Sequence, residues 1–227
     1  MKVGILFSGG KDSNFALYEA SKKHEIVCII TLKSENDESY MFQTQGIDFT
    51  KFQADALNLP QIEFKTKGIK EKELMELKNA ILFAKEKYNI EGIVTGAINS
   101  IYQASRVQKI CDELVLWCFN PLWQKDQISF LYELLENNFK VMIVGVASYP
   151  LDKSYLGKII DKNLILKLTV FRDKYKINPA GEGGELETFV LDSPCFKKEL
   201  IIKDFEVEYD GNYCGKVIFN KLELKEK

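Results

Sequence analysis

Along the first half of the chain, short β-branched runs alternate with longer helical patterns, the order that builds a parallel sheet covered by helices. Val3 to Phe7 reads as a first strand and Ser13 to Lys23 as the helix after it. Ile26 to Leu32 follows as a second strand, then a polar loop from Lys33 to about Asp48. Lys51 to Leu59 reads as a helix stopped by Pro60, and Ile62 to Phe64 as a strand. Lys70 to Tyr88 places Leu74, Leu77, Ile81 and Ala84 at helical spacing. Strand Gly92 to Thr95, helix Ser100 to Cys111 and strand Leu114 to Trp117 complete an α/β unit, a doubly wound parallel sheet of five strands.

The pattern changes after Pro121, so a boundary is expected near 119–125. It divides residues 1–122 from a smaller C-terminal α+β domain, residues 123–227. Here a helix at about Ile128 to Asn137 precedes an apolar strand, Val141 to Val146, and a helix near Asn163 to Tyr175. Strands are expected at Glu187 to Leu191, Leu200 to Tyr209 and Cys214 to Leu222, with Asp210-Gly211-Asn212 as a hairpin-like turn.

Composition removes several function classes. The 227 residues are 46% hydrophobic and 28% charged, which is globular, and the formal charge of −2 lacks the basic excess of a nucleic-acid binder. The five cysteines contain no C-x-x-C pair and His24 is the only histidine, which argues against a Cys/His zinc site and against His-dependent nucleophilic catalysis. His24 itself reads as an exposed strand start. Odd, scattered cysteines fit small buried residues in a reducing compartment, and no run is long enough for a signal peptide or a membrane span, so a cytoplasmic protein is expected.

The densest chemical signal is Ser8-Gly9-Gly10-Lys11-Asp12-Ser13, between the first strand and the first helix. In a doubly wound sheet this is the carboxyl edge, where ligands bind. Adjacent glycines let backbone N–H groups approach an anion, the helix adds its positive end, and Lys11, Ser8 and Ser13 add donors. The run is not a G-x-x-x-x-G-K-[ST] loop, since Ile5 and Asp12 stand where Gly and Ser/Thr would be required. The alternative is an ordinary turn with Asp12 as the N-cap. A second signal is Pro179-Ala180-Gly181-Glu182-Gly183-Gly184-Glu185, followed by Glu187 and Thr188. Its carboxylates could bind Mg²⁺, orient ammonium or face a cationic substrate; the alternative is a solvated acidic turn. Gly96-Ala97-Ile98 also falls at the carboxyl edge. Arg106, one of only two arginines, suits a phosphate or carboxylate partner or a structural ion pair. Tyr102, Trp123 and Tyr149 are candidate pocket walls, and aromatic faces attract quaternary ammonium groups.

Ser8 to Ser13 resembles the PP-loop of the ATP pyrophosphatases, and nearly the whole chain is similar to the diphthine-ammonia ligase family, also described as the ATP-binding domain 4 family. The resemblance rests on that loop; on Tyr40-Met41-Phe42; on Gly96-Ala97-Ile98 with Ser100, Tyr102, Gln103 and Arg106; and on Pro121-Leu122-Trp123. It continues through Leu156-Gly157 with Asp161, and above all through Pro179 to Glu185 with Glu187-Thr188-Phe189-Val190, Asp192 and Pro194.

It implies an adenine nucleotide alpha hydrolase-like fold of the HUP type, and an amide ligase that adenylates the diphthine carboxylate of translation elongation factor 2 and aminates it with ammonium. ATP would lie on Ser8 to Ser13, with Ile30, Leu32 and Gly96, and Asp12 would place Mg²⁺. Lys11, Asp12 and Glu185 would act in catalysis, and Tyr102, Arg106, Glu182, Gly183, Gly184, Glu185, Glu187 and Thr188 would meet the substrate. Where many relatives carry histidine after the Tyr-Met-Phe run, this chain has Gln43, which hydrogen-bonds but does no acid-base work. No cysteine nucleophile at position 2 or beside a histidine suggests a glutaminase, so free ammonium is the expected nitrogen source. The rivals are a tRNA-modifying PP-loop enzyme, against which the missing C-x-x-C and the acidic pI argue, and a non-catalytic ATP sensor. A homodimer stays open.

Overall fold

The computed structural model describes residues 1–35, 45–69 and 72–227. Tyr40-Met41-Phe42 and Gln43 lie outside the described residues. Strands β1 (Lys2–Leu6), β2 (Glu25–Ser34), β3 (Gln61–Thr66), β4 (Gly92–Val94) and β5 (Trp117–Phe119) form a parallel sheet in the order β3-β2-β1-β4-β5. Helices α1 (Lys11–Ser21), α2 (Thr50–Leu57), α3 (Glu73–Tyr88) and α4 (Ile101–Glu113) are the crossovers. The chain winds outward from β1 to β3 on one side and then returns to lay β4 and β5 on the other. The crevice between the ends of β1 and β4 is therefore the switch point at which such sheets take ligands.

Strands buried on both faces need continuous apolar runs, and Val3, Ile5, Ile29, Ile93 and Val94 supply them. One face packs under α3 and α4 through Ile30, Ile62, Leu77, Ile81, Val107 and Cys111. The other face lies under α1, whose Phe15 continues into a second layer, with its ring centroid 5.3 Å from both Phe130 and Phe139.

That layer holds α5 (Gln127–Glu136), β6 (Lys140–Ala147), α6 (Lys162–Tyr175), β7 (Leu186–Asp192), β8 (Lys198–Tyr209) and β9 (Cys214–Glu226). Its sheet is antiparallel in the order β7-β6-β9-β8. A single apolar cluster runs from Val3 through Phe15 and Phe130 to Leu222, so α1 is packed from both sides. Among the described residues no helix is long and apolar enough to cross a membrane.

Two local expectations change. Leu114 to Trp117 does not form the last parallel strand. Leu114 N and Leu116 N donate to carbonyls of Ile110 and Cys111, closing α4, and the strand begins only at Trp117. Both leucines are buried, so the apolar run serves a helix end. His24 is half-buried rather than exposed, with its ring 4.8 Å from that of Phe119.

Candidate active site

At the switch point lies a cleft of about 560 Å³. Ser8, Lys11, Asp12 and Ser13 of the Ser8 to Ser13 loop form its floor, and the backbone of that loop does what an ordinary strand-to-helix turn does not. Gly9 sits at φ +82°, and a Cβ there would fall 2.6 Å from Gln53 Oε1 and 2.9 Å from Thr50 Cγ2, so no other residue fits. Gly10, not Asp12, is the N-cap of α1, with no side-chain cap bond. Its carbonyl accepts Asn14 N (3.2 Å), Asn14 Nδ2 (3.0 Å) and Ser13 Oγ (3.1 Å). Ser8 N donates to Ser13 Oγ at 3.3 Å and Lys11 N to Thr188 Oγ1 at 3.1 Å. Gly96, at the end of β4, presses on this loop from the side: a Cβ there would lie 2.7–2.9 Å from main-chain atoms of Asp12 and Ser13. Ile30 and Leu32 form an apolar wall. Phe7 N donates to Ile30 O at 2.8 Å. Two residues on, the main chain of Leu32 faces the same way, past the point where β1 has ended.

Charge is concentrated on the inner wall. Lys11 is buried, with Nζ 2.9 Å from Asp12 Oδ2. Part of the Asp12 side chain opens to the cleft, but Oδ1 is buried with no hydrogen-bond partner among the described residues. Burial pushes the Asp12 carboxyl above its ordinary pKa, outweighing the nearby Lys11 ammonium. Glu182 reaches in from the glycine-rich loop, and its Oε2 accepts Asn99 N at 3.1 Å. Its pKa is also raised, first by burial and then by the negative charge of Asp12. Glu182, whose ionisation Asp12 disfavours, and Asp12 with its orphaned oxygen make a fitting place for a cation. No group of three or more His, Cys, Asp or Glu that could hold a metal occurs among the described residues, so any cation here would draw its remaining ligands from a bound partner or water.

Glu182, Gly183, Gly184, Glu187 and Thr188 all line the cleft. Glu185, expected among the reacting groups, does not. Its Oε1 accepts Asn178 N (2.8 Å) and Nδ2 (2.6 Å), and its Oε2 accepts Gly183 N (2.8 Å). The carboxylate clasps the loop shut. Glu187 Oε2 accepts Gln45 N at 3.2 Å, and a Cβ on Gly181, at φ +77°, would strike Leu186 O at 2.4 Å.

The expected aromatic walls separate. Tyr102 lines the cleft, and Arg106 stacks on that ring with Cζ 3.6 Å from its centroid, so the guanidinium backs the wall instead of forming it. Trp123 borders a shallow groove on the other side of α4. Tyr149 packs edge-on against Tyr175 and Tyr213, with centroids 4.9 and 5.0 Å away, apart from the cleft.

Three further residues shape the site without a functional signal in the sequence. Thr95 Oγ1 donates to Asn120 Oδ1 (2.8 Å) and accepts Ala97 N (3.1 Å), shaping the turn after β4. Asn99 holds Glu182. Gln53 lies beneath the Ser8 to Ser13 loop; its one sequence signal is an amide on the same helix face as Ala56 and Leu57.

Comparisons with known proteins point one way. The family model described as the diphthamide synthase N-terminal domain matches residues 1–117, and that of the diphthamide synthase C-terminal domain matches 126–222. A Homo sapiens protein named diphthine–ammonia ligase is 36% identical over 230 residues, covering 91% of this chain and 85% of that protein. Proteins of the same name from Mus musculus and Danio rerio are each 34% identical over 251 residues and 100% of this chain, which spans 94% and 98% of their lengths.

Proposed function

The chain belongs to the diphthamide synthase family, and on that premise we propose that it is an ATP-dependent amide ligase that completes diphthamide on translation elongation factor 2. The observation that carries the proposal is that one cleft joins a loop of glycine, lysine and serine donors at the switch point to an acidic glycine loop from the second layer.

In this reading, Ser8 to Ser13 hold the β and γ phosphates of ATP, and adenine lies against Ile30 and Leu32, with the main chain of Leu32 as its hydrogen-bonding edge. Asp12 holds Mg²⁺, which fits its orphaned oxygen and would neutralise phosphate charge. The diphthine carboxylate attacks the α phosphorus, pyrophosphate leaves, and ammonia then displaces AMP from the acyl carbon to give the amide. Lys11 offsets charge on the leaving pyrophosphate. Tyr102, Glu182 and Glu187 face the cationic diphthine side chain, and Glu185 keeps the loop that carries them folded. Residues 1–122 thus serve ATP and contribute Tyr102 to the substrate side, and residues 123–227 supply the carboxylates that meet the protein substrate. The barrier falls by positioning and charge neutralisation, without a covalent protein nucleophile. Free ammonium supplies nitrogen, and five unpaired cysteines suit a cytoplasmic setting.

AMP and pyrophosphate formation from ATP with Mg²⁺ and ammonium tests the reading, comparing diphthine-bearing elongation factor 2 with bulk tRNA. Product is expected with the modified factor alone. Product with tRNA alone would make the chain a tRNA-modifying enzyme, and tight ATP binding without AMP under either condition would make it a sensor.

A further inference from the structure

Beneath the floor of the cleft lies a buried polar network that the reaction does not touch. Gln53, on α2, is fully buried, and its amide nitrogen donates to two carbonyls far away in the chain: Gly9 O at 2.9 Å and Val190 O at 2.7 Å. Val190 N donates to the same Gly9 oxygen at 3.0 Å. Both acceptor sites of that carbonyl are therefore filled, one from α2 and one from β7. A trans peptide points its carbonyl and its N–H in opposite directions. Fixing Gly9 O toward α2 and β7 therefore fixes the Gly10 N–H away from them, toward Ser8, which lines the cleft. There it meets only a long contact, 3.5 Å to Ser8 Oγ.

We propose that Gln53 is a positioning residue for nucleotide phosphate: by holding the Gly9 carbonyl against β7, it pre-aims the Gly10 N–H at the β/γ phosphates of ATP. The inference rests on the reading that this loop takes those phosphates. Shape alone does not account for an amide here. Gln53 Oε1 is buried without a partner among the described residues, and a buried, unpaired carbonyl destabilises the fold. An apolar side chain of similar size would avoid that penalty, whereas no apolar side chain holds two carbonyls. The reversed amide is excluded by the same network, since it would set Oε1 against two acceptors.

The test measures dissociation constants of the full chain for ATP and for AMP, which lacks the β and γ phosphates, in Gln53→Met, Gln53→Glu and Lys11→Met. For Gln53→Met, ATP binding should weaken by about tenfold, the effect of one aimed buried hydrogen bond, while AMP binding stays within about twofold of wild type. For Gln53→Glu, the introduced carboxyl donates only when protonated, so its ATP affinity relative to wild type should be poor at about pH 8 and recover at about pH 6. A residue that merely packs would also be disturbed by a buried carboxylate at about pH 8, but ATP and AMP binding would weaken and recover together; loss or recovery shared equally by the two nucleotides overturns the proposal. Lys11→Met separates the two layers of inference. If it leaves the preference for ATP over AMP intact, phosphate does not sit on this loop and the underlying reading falls. If it abolishes the preference while Gln53→Met retains it, the loop stands and Gln53 has no positioning role. Should Gln53→Met fail to fold, Gln53→Glu decides: recovery of ATP binding beyond that of AMP supports the proposal, and equal recovery overturns it.

Discussion

The two loops that face each other across the cleft are held in opposite ways. The Ser8 to Ser13 loop is tied from outside: Gln53 on α2, Val190 and Thr188 on β7, and the close approach of Gly96 all bear on it. The Asn178 to Glu185 loop is held largely from within, by the Glu185 carboxylate on Asn178 and Gly183, with Gln127 Oε1 accepting Ala180 N at 3.0 Å. An anion site made of backbone donors works only if those donors cannot turn, so the surrounding fold fixes them. A loop that, in the proposed reading, presents carboxylates to a cationic side chain needs only a stable local shape. The first should therefore respond to change with loss of chemistry, and the second should separate shape from chemistry, residue by residue.

The largest expected effect lies on the first loop. Asp12→Ala should lower AMP formation by about a thousandfold, the scale of removing one preorganised charge at a reacting phosphate. The thermal midpoint should fall only modestly: the buried Lys11 ammonium loses its partner, but burial already disfavours the ionised form of Asp12 in the folded chain. A fall of several degrees with activity retained would make Asp12 a structural residue and would erase the contrast.

On the second loop, two neighbouring carboxylates should behave differently. Glu185→Gln replaces one accepting oxygen by a donor facing other donors, which should cost about 2 kcal/mol in a denaturant titration. Glu182→Gln breaks no such clasp. It should leave stability unchanged or slightly raised and reduce turnover by about tenfold through weaker handling of the cationic substrate. Equal effects of both changes on stability and rate would show that the loop acts as one unit.

The first loop was legible in the sequence because it is local. Six consecutive residues at a strand-to-helix junction carry the glycines, the charge and the hydroxyls together, and the crossover pattern places them at the sheet's carboxyl edge. Its support was not legible, since the partners of Gln53 lie 44 and 137 residues away. The second loop shows three carboxylates in six positions, but which one turns inward depends on where Asn178 and Gly183 direct their N–H groups. The sequence reading assigned catalysis to Glu185, the carboxylate those groups occupy. Leu114 to Trp117 was misassigned for a related reason: a short apolar run serves a strand or a helix end equally well until its hydrogen bonds are known. Trp123 and Tyr149 share the residue type of Tyr102 but not its place, because aromatic content carries no information about which cluster a ring joins.

The smallest effect concerns pH, and its sign follows from the direction of two shifts. Asp12 and Glu182 both hold their protons to higher pH in the folded protein than they would in an unfolded chain, chiefly because burial disfavours the charged forms. Above about pH 4 the folded state therefore binds more protons than the unfolded state at these two positions, so their contribution to stability is present below that value and is lost as pH rises through the raised pKa values. Asp126, Asp152 and Glu199, held low by hydrogen bonds on the surface, act in the opposite sense and contribute to the whole-protein curve as well. The measurement must therefore be a difference. Urea titrations of wild type and of the Asp12→Asn, Glu182→Gln double variant, from about pH 4 to 8, should show the variant gaining on wild type as pH rises. The slope should correspond to about one proton or less, flattening once both wild-type groups are ionised. A difference independent of pH would mean that burial does not hold these two carboxyls protonated, and the cleft would lose its electrostatic reason for taking a cation.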